Sequence, residues 1–208
     1  MEESPRHMPD WLNVSRETQT KLEVFLRLVG KWNSRINLVS AASLENGWQR
    51  HILDSAQLWD IVDVKEGIWL DIGSGAGFPG VVIGILAQEA APGLEVVLVE
   101  SDRRKAVFLK EVVRQLLLNA RVLSDRIEII DPIGAQVVSA RAFAVMGDLL
   151  PMVERHQAES CISVFLKGRG HAMELEAARR NWNMQCQTVA SRTDSNGAVI
   201  KLWDLARA

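Results

Sequence analysis

Cysteine is nearly absent: Cys161 and Cys186 are the only two among 208 residues, and they are far apart in the chain. That excludes a disulfide framework and a cysteine-built zinc site, and it favours a reducing, cytosolic setting. Long apolar runs are missing as well. The longest uncharged stretch, 72–88, carries five glycines and a proline and is not a credible membrane span. Neither sign of charge dominates, with 24 Lys and Arg against 26 Asp and Glu, so a net charge of −2 offers no bulk attraction to nucleic acid. The first ten residues, MEESPRHMPD, are polar and acidic and show no secretory signal. There is no internal repeat, low-complexity segment or dividing linker. A hydrophobic share of 48% is too high for intrinsic disorder, and the length suits one large domain with or without a helical extension.

What is present divides at about residue 66. Residues 1–66 hold 8 Lys and Arg against 10 Asp and Glu, whereas residues 67–208 hold 16 of each. The first part reads as a helical extension. Leu22, Phe25, Leu26, Val29 and Trp32 keep the spacing that lines one helix face. Ser15 suits the N-cap of that helix, with Glu17 in its first turn. Ser43 and Glu45 repeat the signal before a second helix, whose apolar face includes Trp48, Ile52, Ala56 and Trp59. The three tryptophans of these helices read as core packing, or as bases' stacking partners if exposed.

From residue 67 to 208, short apolar runs at 68–72, 95–100, 136–139 and 162–166 alternate with amphipathic stretches at 79–90, 103–118, 147–156 and 170–181. That alternation predicts crossover units on a mostly parallel sheet with helices on both faces. The tail, 184–190 and 198–203 around Ser-Asn-Gly, predicts an antiparallel hairpin at the sheet edge. The fold class is thus α/β and Rossmann-like; the pattern marks six strands, and a seventh is expected to complete the sheet. Residues 101–126 carry seven cations against three acids, which suits a solvated helix face or a polyanion-facing patch.

The run Asp71-Ile-Gly73-Ser-Gly75-Ala-Gly77-Phe78-Pro79-Gly80 follows the first predicted strand and precedes a helix. Alternate glycines let the backbone turn sharply and approach a ligand closely at the crevice of an open α/β sheet. A dinucleotide fingerprint needs glycine at position 78, where phenylalanine stands. An acid just before the glycines suits an amino group, and Glu100 at the end of the next strand can accept two ribose hydroxyls. Asp71 for an amine and Glu100 for a ribose together describe S-adenosylmethionine. Four histidines lack metal-ligand spacing, so no metal is expected.

Further motifs join this one: Asn-Leu-Val-Ser at 37–40, Glu-Asn-Gly-Trp-Gln-Arg-His-Ile-Leu-Asp-Ser at 45–55, Arg-Arg-Lys-Ala-Val-Phe-Leu at 103–109, Ser-Ala-Arg-Ala at 139–142 and Leu-Lys-Gly at 166–168. In that order, over 11–176, they make the sequence resemble the bacterial 16S rRNA guanine-N7 methyltransferases of the ribosomal RNA small subunit methyltransferase G (glucose-inhibited division protein B) family. The resemblance implies S-adenosylmethionine as methyl donor and 16S rRNA, or the small ribosomal subunit, as partner. It also implies cofactor contacts at Gly73 and Phe78, beside the turn glycines Gly75 and Gly77. Ile127 and Glu128 would border the adenine, Arg141 would sit at the cofactor and active site, and Arg126 would be a second functional arginine. No motif after residue 176 matches.

The chemistry implied needs no general base, because guanine N7 has a free lone pair and no proton to lose. Catalysis would rest on holding N7 in line with the methyl group, about 3 Å away. An arginine suits the O6 edge of guanine as donor, while a cation very near N7 would oppose the charge of the product. Arg50, His51, Asp54 and Ser55 either line the cofactor pocket or fix the helical extension to the sheet. Lys167 and Arg169 either touch phosphate or face solvent. A cytoplasmic monomer acting without membrane or metal is expected. Methylation of a small molecule or protein, a non-catalytic nucleotide-binding module and a dehydrogenase are the competing readings.

Overall fold

In the computed structural model, which describes residues 7–208, seven strands form one sheet in the order β3-β2-β1-β4-β5-β7-β6. The polar start read from the sequence lies, for residues 1–6, outside the described part. Strands β1 (Glu66–Ile72), β2 (Gly93–Val99), β3 (Ala120–Leu123), β4 (Ala135–Arg141) and β5 (Gln157–Lys167) are parallel. The tail hairpin exists, with β7 (Ala198–Arg207) antiparallel between β5 and β6 (Trp182–Ala190). β3 has only four residues and no fully buried one, too short for apolar patterning to mark its place.

Strand alternation sorts the core into two layers. Trp69, Val96, Leu98, Val137 and Val164 face one side, beneath α1 (Arg16–Asn33), α3 (Asp54–Ile61), α4 (Gly80–Ala90) and α5 (Arg103–Leu116). Leu70, Ile72, Val97, Val138 and Phe165 face the other, against α6 (Met146–His156) and α7 (His171–Ala178). The helical first part shares the first layer outright, since Leu22, Phe25 and Val29 are fully buried in it. The three tryptophans pack there too: Trp32 lies 5.6 Å from Phe108, Trp59 stacks 6.4 Å from Trp69, and Trp48 leans on the same core.

Ser15 caps α1 by accepting from the Thr18 N–H, and Glu89 at the end of α4 accepts from both residues' hydroxyls, tying the helix start to the sheet layer. The second expected helix is corrected in two respects. Its N-cap is Ser40, which accepts from the Ser43 N–H, so Ser43 lies inside α2 (Ala41–Glu45). The helix is also not continuous: a π-helical turn, Trp48–Leu53, separates α2 from α3. Gly47 packs so close to Leu26 that a Cβ would lie 2.9 Å from its side chain, and the turn that follows re-aims Arg50 and His51 toward the end of β4.

Candidate functional site

The carboxyl ends of β1, β2 and β4 open onto a cavity of about 380 Å³, within the range of small-ligand sites. Gly73, Ser74, Gly75 and Phe78 form its floor, Glu100 and Lys105 one wall, Arg126, Ile127 and Glu128 another, and Arg141, Ala142 and Phe143 the far end. The glycine loop is shaped by requirement. Gly73 has φ +67°, and a Cβ there would fall 2.1 Å from the ring of Phe143. Gly77 has φ +90° and a Cβ would fall 2.6 Å from Val81, so it serves the turn from behind and does not line the cavity.

Glu100 holds the loop from the next strand. One carboxylate oxygen accepts from the Gly75 N–H at 2.8 Å and the other from the Asp102 N–H at 2.7 Å. Each oxygen keeps a lone pair for a hydroxyl in the cavity it borders. Asp71 corrects the sequence expectation. Its carboxylate is fully buried beneath the loop, with one oxygen accepting from the Ser139 hydroxyl at 2.7 Å and the other from the Gly80 N–H at 3.2 Å. It does not line the cavity and offers nothing directly to a ligand amine. Burial pushes its pKa up to about 6, against the lowering effect of those hydrogen bonds. The Ser139 hydroxyl in turn accepts from the indole N–H of Trp69 at 2.9 Å, so β1, β4 and α4 are joined beneath the turn.

At the opposite wall, Ile127 begins a 3₁₀ turn, Ile127–Ile129, capped by exposed Arg126, whose guanidinium has no partner among the described residues. The turn is held from inside by His156. Its Nε2–H donates to the Ile127 carbonyl at 3.0 Å, and burial keeps the imidazole neutral by lowering its pKa. The basic run at 101–126 is partly neutralised, because Arg104 and Arg114 of α5 pair with Asp102 and Glu111, and Arg121 of β3 pairs with Glu95.

Arg141 is the hinge of the site. Its Nη1 donates to the Arg50 carbonyl at 3.0 Å and to Asp54 at 3.3 Å, and its Nη2 donates to His51 Nδ1 at 3.0 Å. Because a guanidinium only donates, His51 Nδ1 must accept, and Nε2–H then donates to the Ser43 hydroxyl at 3.2 Å. Burial first, then the charges of Arg141 and Arg50, lower the His51 pKa to about 4, so it is neutral at physiological pH. His51 stacks on Phe78 at 4.8 Å and the guanidinium lies 5.1 Å from the same ring. Of the two open readings of the 50–55 segment, the anchoring of the helical part to β4 is the one seen; none of its residues lines the first cavity, Arg50, His51 and Asp54 border a second one, and Ser55 is buried and borders neither.

That second cavity, of about 770 Å³, shares Arg141, Ala142 and Phe143 with the first. Its other walls come from Arg50, His51 and Asp54 and from the hairpin turn at 191–197. Thr193 donates to Asp54 at 2.6 Å and the Arg192 N–H donates to Gln57 at 3.0 Å, which docks the turn on α3. Lys167 takes neither role expected of it. Its ammonium is turned inward, donating to the Ala144 carbonyl at 2.6 Å and to Glu174 at 2.8 Å, whereas Arg169 is exposed. Phe143 and His156 carried no motif of their own, the one signal being the aromatic two residues beyond Arg141; the hairpin was expected from Ser-Asn-Gly, but not that its turn docks on α3.

Among the described residues no three His, Cys, Asp or Glu side chains converge as metal ligands, and no helix is long and apolar enough to cross a membrane. A family model described as rRNA small subunit methyltransferase G matches residues 18–199. A ribosomal RNA small subunit methyltransferase G from Cereibacter sphaeroides is 47% identical over 195 residues, 94% of this chain and 95% of that protein. One of the same name from Ruegeria pomeroyi is 43% identical, covering 94% and 96%. Among solved structures, an S-adenosylmethionine-dependent methyltransferase from Aquifex aeolicus superposes with a TM-score of 0.57 at 14% identity, covering 86% of this chain and 97% of that one. The M. jannaschii protein TYW2, in complex with S-adenosylmethionine, does so with 0.55 at 10%, covering 84% and 80%. These two likenesses speak to the fold.

Proposed function

The chain belongs to the rRNA small subunit methyltransferase G family, and from that premise we propose that it methylates N7 of a guanine in 16S rRNA, with S-adenosylmethionine as donor. The observation that carries the reading is a pair of cavities that share Arg141, Ala142 and Phe143, which we assign to donor and acceptor respectively. The first fits S-adenosylmethionine: the turn at Gly73 and Gly75 brings bare backbone to the cavity floor, and a carboxylate with free lone pairs stands beside it. In our reading Gly73, Gly75, Phe78, Glu100, Ile127, Glu128 and Arg141 hold the donor. Asp71 and Gly77 act indirectly, by setting the turn. The donor supplies an electrophilic methyl group on sulfur.

What the protein's own residues contribute is placement. N7 needs no base, so rate comes from alignment and from excluding water. Arg141 is fixed by three acceptors from the helical part, and Asp54 offsets its charge at close range, so it orients a guanine edge without strongly opposing the positive product. Exposed Arg126, at the rim of the donor cavity, is assigned to contact with RNA phosphate or with the edge of the donor as the second functional arginine. Residues 1–66 serve as a helical extension that completes the acceptor cavity, and 67–208 as the methyltransferase core. A cytoplasmic monomer whose partner is the small ribosomal subunit completes the reading. Arg103, Lys105 and Lys110 remain unpaired among the described residues and suit phosphates.

The test is incubation of the protein and labelled donor with small subunits lacking the modification, followed by nucleoside mass spectrometry. Labelled 7-methylguanosine is the expected product. Label on another nucleoside, on protein or on free metabolites alone would reject the assignment.

A further inference from the structure

Phe143 stands apart from every other phenylalanine in the chain. Phe25, Phe78, Phe108 and Phe165 are at most 4% exposed, whereas Phe143 is 39% exposed. It is also the one aromatic that borders both cavities. The residue before it, Ala142, has φ 49°, a left-handed conformation that a side chain adopts only when its surroundings impose it. The surroundings are visible. On one side the ring lies against the bare Cα of Gly73, so close that no other residue could stand there. On the other, Lys167 binds the Ala144 carbonyl, and Glu174 accepts both from Lys167 and from the Met146 N–H at 2.9 Å. A half-buried ion pair and a glycine thus hold a strained segment so that one ring stays half out of the core, at the point where donor and acceptor meet.

Exposing an aromatic ring forfeits burial, so a ring braced in this way has a use in the open. The flat face of a nucleobase drawn out of its stack is the partner that suits it. We infer that Phe143 is the platform on which the target guanine stacks in the second cavity, with Arg141 reading its edge. The inference rests on the functional reading above and adds the residue that fixes the height of the base. Arg141 supplies hydrogen bonds in the plane of the base; Phe143 supplies the stacking direction perpendicular to it. Together they define a plane for the purine, which alignment of N7 requires.

The experiment compares Phe143→Ala, Phe143→Leu and Phe143→Trp with the unsubstituted enzyme, measuring kcat/KM for undermodified small subunits and the Kd for S-adenosylmethionine by calorimetry. Loss of a stacked base is worth about tenfold or more. Ala and Leu should therefore both lower kcat/KM by about that factor while the donor Kd stays within about threefold, and Trp should restore most of the activity. Leu separates stacking from mere apolar filling, and donor binding reports that each variant is folded. Activity of the Leu variant equal to that of the unsubstituted enzyme would overturn the inference, as would a donor Kd that weakens in step with kcat/KM. If the unsubstituted enzyme forms no 7-methylguanosine, the parent reading falls and takes this one with it; equal rates for all four forms overturn this one alone.

Discussion

Replacing Asp71 with asparagine should make the protein less stable than the original at pH 4 and more stable at pH 7. The folded pKa of Asp71 is raised from 3.8 to about 6 by burial. Between those values the folded chain keeps the proton and the unfolded chain releases it, so the stability contributed by this group is full below pH 3.8 and is lost as pH rises through 6. At 1.36 kcal/mol per unit the loss is about 3 kcal/mol. The substituted side chain would carry no charge to bury, but its amide meets donors on both sides. It can accept from the Gly80 N–H only by presenting N–H to the Ser139 hydroxyl, which already accepts from Trp69. One misplaced donor costs about 1–2 kcal/mol. The stability of Asp71→Asn relative to the original should thus climb by about 2 kcal/mol from pH 4 to pH 7 and change sign near pH 5. His51, whose pKa is lowered to about 4, acts in the opposite direction over this window, but it is common to both proteins and cancels in the difference. Urea unfolding at four pH values is the assay. A difference that stays flat, or falls, would refute the reasoning.

Arg141→Gln should lower methylation by about 100-fold through lost alignment while leaving the fold intact. The same variant should raise the His51 pKa from about 4, since Arg141 is the largest charge lowering it; an NMR titration with an unmoved midpoint would break that coupling. Gly77→Ala should destabilise by about 2–4 kcal/mol, because φ is +90° and Val81 lies 2.6 Å from the added Cβ; a loss under about 1 kcal/mol in thermal unfolding would contradict the strain. Cys161, buried and with its pKa pushed up to about 11, should react with a chromogenic disulfide far more slowly than half-buried Cys186 at pH 8, and equal rates would count against that burial.

Much of this architecture is written in short-range patterns. Ser15 caps its helix as its spacing predicts, and the glycine run turns at the end of β1 as bare backbone should. The alternation of apolar runs locates four of the five parallel strands, and Ser-Asn-Gly marks the hairpin. The rest depends on partners distant in sequence. Nothing local tells that the Asp71 carboxylate turns under the loop, because its partner Ser139 is 68 residues away. Lys167 looks like a phosphate contact until Ala144 and Glu174 claim it. The π-helical turn is invisible because its residues keep ordinary helical amphipathicity while their hydrogen bonds shift by one. Ser40 and Ser43 offer the same capping chemistry three residues apart, and only packing of the segment against the core chooses between them.

Strand β7 lies between β5 and β6, although it is made after both. A growing polypeptide that has emerged only as far as residue 190 has an unpaired β6 and a bare β5 rim, an adhesive edge open to neighbouring nascent chains. Closure must wait for residues 198–207 to slide into the gap. Translation speed over that stretch, and shielding by chaperones until it is threaded home, should therefore govern how much enzyme a cell recovers from each message.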